Sequence, residues 1–235
     1  MVDAAEANVG ARFVTVLDGE YPANLRVLRS PPPFLFYRGE LRGEDSCSVA
    51  VIGTRDATDQ GRSRARRLGE QLVAGGVTVV SGLAKGIDTE AHAATLNAGG
   101  RTIAVVGTGI LCTYPRENAA LADRIAESGA VISRLWPDAP PTRSTFPMRN
   151  VVMAGISLGS VVIEAGTLSG AHMQARTALE HGRHVFLMAS LVEREGWAEG
   201  CLQRGAIEVC EVWDVLQRLR PPQQPQREQL TLGLA

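Results

Sequence analysis

The sequence predicts an α/β protein with a doubly wound, mostly parallel sheet covered by helices on both faces. Short runs of β-branched and other apolar residues alternate with helical segments from about residue 48 to residue 187. The runs are apolar almost throughout, which is typical of parallel strands buried on both faces. Hydrophobic residues make up 45% of the chain and aromatic residues only 5%, while 25 glycines suit many tight turns between strands and helices.

Length and charge limit the function classes. At 235 residues the chain is one substantial domain, or one domain with a short appendage. The formal net charge of −1 provides no overall attraction to nucleic acid. Any nucleic-acid binding must therefore come from a local basic patch.

The cysteines and the hydropathy pattern indicate an intracellular protein. The four cysteines show no C-x₂-C spacing and have no histidine close in sequence, so we expect reduced thiols, no metal site and a cytoplasmic location. The sequence shows no signal peptide and no apolar run long enough to span a bilayer, so we expect no membrane partner.

The chain divides into three predicted parts. Residues 1–44 form a loop-rich N-terminal leader with one short strand at 34–37, whose aromatic side chains would dock on the core. Residues 45–219 hold the regular alternation and form the predicted Rossmann-like domain. Residues 220–235 are polar and proline-rich at their start, which predicts a disordered tail.

Each core element is predicted from its own pattern. Apolar runs predict strands at residues 49–52, 77–80, 102–106, 130–133, 160–164 and 184–187. Helices are predicted at about residues 58–74, 88–97, 119–128, 150–158 and 170–181, with a last short strand and helix at 208–219. Thr58 or Asp59 can cap the first of these helices, and the glycine pairs at 75–76 and 99–100 end the first two.

Two predicted strands end in residues that favour anion binding. The run at 77–80 leads into Ser81-Gly82-Leu83-Ala84-Lys85-Gly86 and then directly into a helix, while the run at 102–106 ends in Gly107-Thr108-Gly109. Glycine-rich turns at a helix N-terminus present free backbone N–H groups to an anion, usually a phosphate. Ligands of parallel α/β sheets also bind at the carboxyl ends of the strands. The sequence therefore predicts a protein that holds a phosphate-bearing molecule.

Further motifs match a known family in order and near its spacing. They are Tyr21-Pro22, Gly53-Thr54-Arg55, SGLAKGID at 81–88, Ala91-His92, GGRTIAVVG at 99–107, YPREN at 114–118, FPMRN at 146–150, AGIS at 154–157, VIEA at 162–165 and Ser169-Gly170. Over roughly residues 21–209 the chain closely resembles the DNA-processing protein A family, also called DprA or Smf.

The resemblance implies a function without a catalytic step. Members have an extended Rossmann-like domain that binds single-stranded DNA, dimerises, and hands the DNA to the RecA recombinase during natural transformation. We therefore expect a homodimer with single-stranded DNA and RecA as partners, and no catalytic residues or cofactor.

The chain also departs from the family pattern. Gly53-Thr54-Arg55 stands where the family usually has Gly-Ser-Arg, and Arg149-Asn150-Val151 where it has Arg-Asn-Arg. Arg134 replaces a family acid, and residues 188–190 replace a Pro-Gly loop. No C-terminal winged-helix segment or N-terminal helical domain is recognised, so we expect a trimmed, diverged member.

The predicted phosphate site combines one arginine with one loop. Arg55 follows the first core strand, where a cation would reach a bound phosphate; the alternative is a surface arginine paired with a nearby aspartate. Ser81, Gly82, Lys85 and Gly86 would hold a phosphate through backbone amides, with Lys85 as a point charge. The alternative is a tight turn that needs glycine for its geometry alone.

The resemblance extends the binding path to further residues. It places Arg116 on the DNA path as a second cation, although a solvated loop arginine is an equal alternative. Phe146 is predicted either to stack on a base or to be buried under the proline-rich loop at 137–147. Arg149 and Asn150 would contact phosphate or base edges, or else lock that loop. The remaining residues assigned to nucleic-acid or phosphate binding are Gly53, Thr54, Asn118, Ser169 and Gly170.

Three residues are predicted to orient the site. Asp88 cannot favour an anion directly, so we expect it to cap its helix and to orient loop amides. His92 follows four residues later on the same helical face, which favours a hydrogen-bonded pair with Asp88 over catalysis. Glu164 ends a strand, and its carboxylate would bind a ribose hydroxyl if the ligand were a nucleotide.

The Glu164 carboxylate leaves two nucleotide-binding functions open as alternatives to DNA binding. The architecture also resembles that of the LOG family, which cleaves the N-glycosidic bond of nucleoside monophosphates, but residues 164–170 lack its Pro-Gly-Gly-x-Gly-Thr signature. A nucleotide sensor in a defence or regulatory system is a third possibility. A preference for an oligonucleotide over a mononucleotide separates the DNA-binding hypothesis from both.

The tail carries one further hypothesis. Residues 229–234, from Gln229 to Leu234, resemble the short peptide by which bacterial proteins dock on the replicative sliding clamp, although Gly233 displaces the final leucine. Short motifs recur by chance, so a plain disordered tail is the favoured interpretation.

Overall fold

One nine-stranded sheet forms the centre of the computed structural model, which describes residues 10–219. The strands are β1 (Arg12–Thr15), β2 (Phe34–Gly39), β3 (Ser48–Ile52), β4 (Thr78–Ser81), β5 (Thr102–Val105), β6 (Ala130–Ser133), β7 (Gly159–Val162), β8 (His184–Met188) and β9 (Ile207–Val209). Across the sheet their order is β1-β2-β6-β5-β4-β3-β7-β8-β9.

The strand directions confirm the predicted fold class. Strands β3 to β9 are parallel to each of their neighbours within this group, whereas β1 and β2 add an antiparallel pair beside β6. The chain builds β3 to β6 outward in one direction and then returns to place β7 on the other side of β3. The sheet therefore has a topological switch point between β3 and β7, where open α/β sheets bind ligands at the carboxyl ends of the strands.

Helices cover both faces of the sheet. They are α1 (Ala23–Arg26), α2 (Asp59–Ala74), α3 (Ile87–Asn97), α4 (Ala119–Ser128), α5 (Thr145–Ile156), α6 (Gly170–Glu180), α7 (Ala189–Val192), α8 (Trp197–Leu202) and α9 (Val212–Arg218). Helices α1, α5, α6, α7 and α8 pack on one face, while α2, α3, α4 and α9 pack on the other. The alternation within β3 follows this arrangement, because Ala50 and Ile52 enter the first core and Val49 and Val51 the second.

The N-terminal leader differs from its prediction. The sequence predicts one strand there, but the structure has two, and β1 and β2 extend the sheet beyond β6. The pairing of β2 with β6 is antiparallel, with Phe36 opposite Ser133. The leader therefore contributes main-chain hydrogen bonds as well as aromatic side chains.

Helix α5 begins earlier than predicted. It starts at Thr145 rather than near residue 150, so it includes Phe146 and Pro147. Proline is tolerated in the first helical turn, because the N–H group that it lacks has no partner there. Three short helices, α1, α7 and α8, were not predicted from the sequence.

Two expectations concern membranes and the tail. Among residues 10–219, no helix is long and apolar enough to cross a bilayer. The sliding-clamp hypothesis for residues 229–234 falls outside the described residues.

A buried ion pair holds the amino-terminal edge of the sheet together. Arg101, just before β5, donates from Nε to Asp45 Oδ1 at 2.6 Å and from Nη2 to Asp45 Oδ2 at 2.8 Å. The same guanidinium donates to the main-chain oxygen of Glu40, which follows β2. Both charged side chains are almost fully buried, at 11% and 5% exposure. The pair thus links the leader, the segment before β3, and β5.

We expect Arg101→Ala to lower the free energy of unfolding by about 3 kcal/mol, because it leaves the buried Asp45 carboxylate without its cation. Arg42→Ala is the matched control, since Arg42 pairs with Glu40 and Glu44 at the surface. Exposed pairs contribute little, so the control should change stability far less. Urea denaturation measures both values, and equal losses in the two variants would contradict the assignment.

Candidate functional site

A cavity of about 350 Å³ opens at the switch point, at the carboxyl edge of the sheet. Four segments line it: the turn after β3, the loop before α3, the middle of α5 and the start of α6. A smaller hollow adjoins it and shares Arg55, Ala84 and Arg149 with it. Most of the residues predicted to bind phosphate or nucleic acid line one of these two depressions.

The turn after β3 is fixed by close main-chain contacts. Thr54 N donates to Glu164 O at 2.7 Å, and Thr54 O accepts from Ile87 N at 3.3 Å. A Cβ at Gly53 would lie 2.4 Å from Ile87 Cγ1, so the turn needs glycine at this position. These contacts leave the Arg55 side chain exposed at the cavity, where it makes no ion pair with any residue from 10 to 219.

Gly86 brings the loop before α3 against this turn. Its φ of +75° lies in the left-handed region, and a Cβ there would be 2.4 Å from Thr54 O and 2.5 Å from Arg55 O. A residue with a side chain would be strained in conformation and would clash with the main chain. The N-terminus of α3 is therefore held beside Arg55.

The 81–86 loop uses some of its amides internally. The amides of Gly82 and Ala84 donate to Asp88 Oδ2 at 3.1 and 3.3 Å. The Ser81 hydroxyl donates to Val51 O at 2.6 Å and is fully buried. Ser81 and Gly82 therefore differ from the prediction, because these groups are not free to hold a ligand.

In the C-terminal half of the same loop, Lys85 is exposed and Gly86 is buried against the turn after β3. Within residues 10–219 the amides of Lys85 and Gly86 donate to no acceptor. Lys85 Nζ lies 2.7 Å from Glu117 Oε1, in an ion pair whose two side chains are each about half exposed. An anion beside Lys85 would meet the amide and the ammonium of this residue and the positive end of the α3 dipole.

Arg149 is a buried cation beneath the loop. Its side chain is about nine-tenths buried, and its Nη1 donates to Val105 O at 3.3 Å, while its Nε has no partner in the described structure. A Cβ at Gly82 would lie 1.4 Å from that Nη1, so glycine makes room for the guanidinium. Burial lowers the pKa of Arg149, and the charge of Asp88 opposes this change. An arginine still keeps its proton in such a site, so the cavity floor is positively charged.

Asp88 and His92 do not form the predicted pair. The Asp88 carboxylate turns back toward the 81–86 loop, as helical side chains tilt toward the N-terminus. His92 Nδ1 instead lies 2.7 Å from Thr102 Oγ1, which donates its own proton to Val79 O. The prediction of a hydrogen bond between Asp88 and His92 is therefore wrong. Asp88 also does not cap α3, whose N-cap residue is Gly86.

Burial changes the titration of both groups. The pKa of Asp88 is raised, chiefly by burial, although the neighbouring charge of Arg149 and the loop amides act in the opposite direction. The pKa of His92 is lowered to about 3, again chiefly by burial and further by Arg149. His92 is therefore neutral in the folded protein at neutral pH.

Aromatic side chains lie beside the cations. The Arg55 guanidinium carbon is 5.5 Å from the centre of the Phe146 ring, and the Tyr114 ring is 6.0 Å from that same centre. Phe146 lies in the first turn of α5 and is partly exposed, so it is not buried under the proline-rich loop. Tyr114 is not among the predicted site residues, although an aromatic residue in the loop after β5 was a usable signal.

Two predicted residues of the 114–118 motif have different surroundings. Arg116 is exposed in a 3-10 turn and makes no ion pair within the described residues, but it lines neither depression. Asn118 is buried and donates to Leu83 O at 2.8 Å and to Thr89 Oγ1 at 3.0 Å. Asn118 thus anchors the 81–86 loop from behind and does not reach the ligand side.

The start of α6 forms the far wall of the larger cavity. Ser169 caps the helix, because its Oγ accepts from His172 N at 3.1 Å. Gly170 has open space where a Cβ would be, and Asn150 Nδ2 approaches its carbonyl oxygen at 3.5 Å. This wall leaves room for a ligand between α6 and Arg149.

Glu164 is engaged in the fold. Its Oε1 accepts from Thr58 Oγ1 at 2.6 Å and its Oε2 from Thr58 N at 3.0 Å. The carboxylate packs on Gly61, where a Cβ would lie 2.3 Å from Oε2. It therefore ties the end of β7 to the start of α2. Both of its oxygens already accept hydrogen bonds from Thr58, where a ribose hydroxyl would have to donate.

Comparison with protein families gives a match over almost all of the described chain. The model of the family described as DNA recombination-mediator protein A matches residues 12–220. Protein Smf of Synechocystis sp. is 41% identical over 195 residues, which cover 81% of this chain and 49% of that protein. The chain thus spans about half the length of this relative.

Solved structures with the same fold include two of DNA processing protein A (DprA). The X-ray structure of the Streptococcus pneumoniae protein has a TM-score of 0.80 at 37% identity, covering 92% of this chain and 78% of that one. The structure of the Helicobacter pylori protein, whose title describes its single-stranded DNA binding mode, has a TM-score of 0.77 at 25% identity. It covers 88% of this chain and 95% of that one.

His92 should make stability depend on pH. Its folded-state pKa of about 3 lies below the usual value of 6.5, so only the unfolded chain takes up a proton as the pH falls below 6.5. The stability is therefore full above pH 6.5 and declines progressively as the pH falls toward 3. Between pH 7.5 and 5.5 we expect His92 to account for a loss of roughly 1 kcal/mol.

Urea denaturation of the wild type and of His92→Asn at these two pH values measures that loss. The variant lacks the titrating group, so its stability should fall less on acidification. The other histidines and Asp88 are present in both proteins and cancel in the comparison. An identical pH dependence in the two proteins would contradict the assignment.

Proposed function

Because the chain belongs to the DNA recombination-mediator protein A family, we propose that it is a non-enzymatic protein that binds single-stranded DNA at the carboxyl edge of its sheet. The observation that carries this proposal is that cations and aromatic rings lie side by side at one edge of the sheet. Arg55 and Lys85 would hold phosphates, while Phe146 and Tyr114 would contact the bases.

The chemistry of the edge fits a single strand. Cations and free amides recognise the phosphates, which are the same for every sequence. Aromatic faces stack on any base, so binding of this kind tolerates any sequence. The bases of a duplex are stacked inside the helix and could not reach Phe146. A strand with unpaired bases satisfies both parts of the site.

The local charge offsets the neutral composition. The chain as a whole carries a formal charge of −1, yet Arg55, Lys85 and Arg149 all line one small hollow. Arg149 has no acidic partner within ion-pair distance in the described structure. An incoming phosphate therefore supplies the negative charge that the buried guanidinium lacks, at a point where water screens poorly.

The proposal assigns no catalytic step. The acidic and imidazole groups nearest the site are engaged in the fold: Asp88 with loop amides, His92 with Thr102, and Glu164 with Thr58. Each holds a structural element in place.

The partners and cellular role follow from the family. We propose that two copies associate, that the protein works in the cytoplasm, and that it passes the strand to the RecA recombinase in natural transformation and recombination. The relatives are longer than this chain, so these roles need their own measurements. Light scattering gives the oligomeric state. ATP hydrolysis by RecA on DNA covered with single-strand-binding protein, with and without this chain, measures the hand-over.

A nucleotide ligand is the competing function. The larger cavity reaches the start of α6, where Ser169 and Gly170 would suit a mononucleotide phosphate. Against hydrolysis, Glu164 is already bonded to Thr58. Competition of a mononucleotide with labelled oligo-dT separates the two, because a strand binder prefers the oligonucleotide by a wide margin.

We expect the double substitution Arg55→Ala/Arg116→Ala to weaken oligo-dT binding by about 10- to 100-fold, because it removes the contact proposed for Arg55 at the cavity and the one that the family resemblance implies for Arg116. It should also flatten the plot of log affinity against log salt by about 1.4, since each lost phosphate contact contributes roughly 0.7 for a single strand. Fluorescence anisotropy of a labelled oligo-dT at several salt concentrations measures both.

Arg218→Ala is the matched control for this experiment. Arg218 is exposed on α9, away from the site, so its removal changes the net charge but no predicted contact. The control should bind like the wild type. If wild-type protein fails to bind oligo-dT at low salt, the proposed function is wrong.

A further inference from the structure

Four aromatic rings form a second surface at the same edge of the sheet. Trp136 follows β6, and its ring lies 5.3 Å from Phe34 and 6.1 Å from Phe36, measured between centroids. The Phe13 ring lies 5.6 Å from Phe34 and 5.1 Å from Phe36. We call these four residues the aromatic platform.

The platform presents a fixed ring to solvent. Trp136 is 55% exposed and Phe13 is 39% exposed, while Phe36 is buried and packs in the core beneath them. The exposed indole is thus supported from below by other rings. Aromatic side chains have few rotatable bonds, so a supported ring loses little freedom when another ring stacks on it.

The platform is continuous with the proposed DNA site. A Cβ at Gly107 would lie 2.7 Å from Phe146 Cδ1, and a Cβ at Gly109 would lie 2.2 Å from Trp136 O. These two glycines are separated by at most about 7 Å of chain. One short loop after β5 therefore contacts both Phe146 and the main chain of Trp136.

The order of the strands gives the distance between the 81–86 loop and the platform. The 81–86 loop follows β4, and Trp136 follows β6, with β5 between them. Neighbouring strands are about 4.8 Å apart, so the two points are separated by about 10 Å along the edge. Stacked nucleotides advance about 3.4 Å each, so about three nucleotides span this distance.

We propose that the aromatic platform is a second base-stacking subsite, which binds bases of the same single strand about three nucleotides beyond the phosphate bound at the 81–86 loop. This inference rests on the proposed function and extends it. Trp136 contacts a base by stacking, and Phe13 contributes to the same apolar surface. The subsite recognises the face of a base and not its hydrogen-bonding edge, so it accepts any sequence.

The experiment compares two strands that have the same sugar-phosphate backbone and differ only in whether they carry bases. One is a labelled dT 20-mer and the other is a 20-mer of abasic deoxyribose phosphate, and the proteins are the wild type, Trp136→Ala, Trp136→Phe and Trp213→Ala. We expect Trp136→Ala to weaken binding of the dT strand about fivefold or more and to leave binding of the abasic strand unchanged. Trp136→Phe keeps an aromatic face and should restore most of the affinity.

Trp213→Ala is the matched control. Trp213 is 60% exposed and lies with Cys47, Gly75 and Val77 near the amino ends of β3 and β4, at the opposite edge of the sheet. The substitution removes a similarly exposed indole that lies away from the proposed DNA site, so this variant should bind both strands like the wild type.

Tryptophan fluorescence provides a second measurement that does not depend on truncating the side chain. In Trp197→Phe/Trp213→Phe the one remaining tryptophan of the chain is Trp136. Its emission should be quenched by the dT strand and not by the abasic strand.

Equal affinity losses of Trp136→Ala for the two strands, or no loss for either, would overturn the inference. A lower molecular mass of Trp136→Ala than of the wild type in light scattering would also overturn it, because the platform would then join two copies of the chain. A lack of quenching of the Trp136 emission by dT would overturn it too, because the platform would then be covered by the chain's own residues. If the wild type binds neither strand, the proposed function itself has failed, and this outcome is distinct from the others.

Discussion

The close approach between the turn after β3 and the start of α3 is the constraint on which the site depends. Gly53 and Gly86 have no space for a Cβ, and the main chain of Thr54 bonds both Glu164 and Ile87. The sheet order brings β3, β4 and β7 together at their carboxyl ends. This contact then fixes the distance between Arg55 and the α3 N-terminus, so the spacing of the charges is set by packing.

Buried charges organise the floor of the site around this contact. The Asp88 carboxylate accepts hydrogen bonds from the amides of Gly82 and Ala84, and Arg149 lies in the space beneath Gly82. Each of the two charges is desolvated, and each moderates the pKa of the other. The stabilising pair at the opposite edge, Arg101 with Asp45, is separate from this arrangement. The proposed binding site and the stabilising ion pair thus lie at opposite edges of the sheet.

The sequence predicts the core fold well because its signals are local. Apolar runs and glycine pairs place β3 to β8 within one or two residues, and Thr58, one of the two residues predicted to cap α2, is its N-cap. Its failures come from tertiary contacts. The pairing of β2 with β6 depends on residues far apart in the chain, and the early start of α5 depends on a proline in the first turn. At the site, helical spacing suggests a bond between Asp88 and His92, but the loop and Thr102 supply better partners. The family motif assigns Asn118 to the binding residues, but its amide bonds Leu83 and Thr89, because a motif does not show which way a side chain points.

In the proposed function, the ion pair between Lys85 and Glu117 would affect how a strand is exchanged. Glu117 occupies the lysine with an anion of its own, so a phosphate that arrives there replaces one negative partner with another. The net gain at this position is a difference between two similar attractions, and the pair re-forms when the phosphate leaves. Glu117 is in this sense a tethered competitor at high local concentration. Such a contact favours rapid turnover of individual phosphates along the strand over a long residence at any one of them.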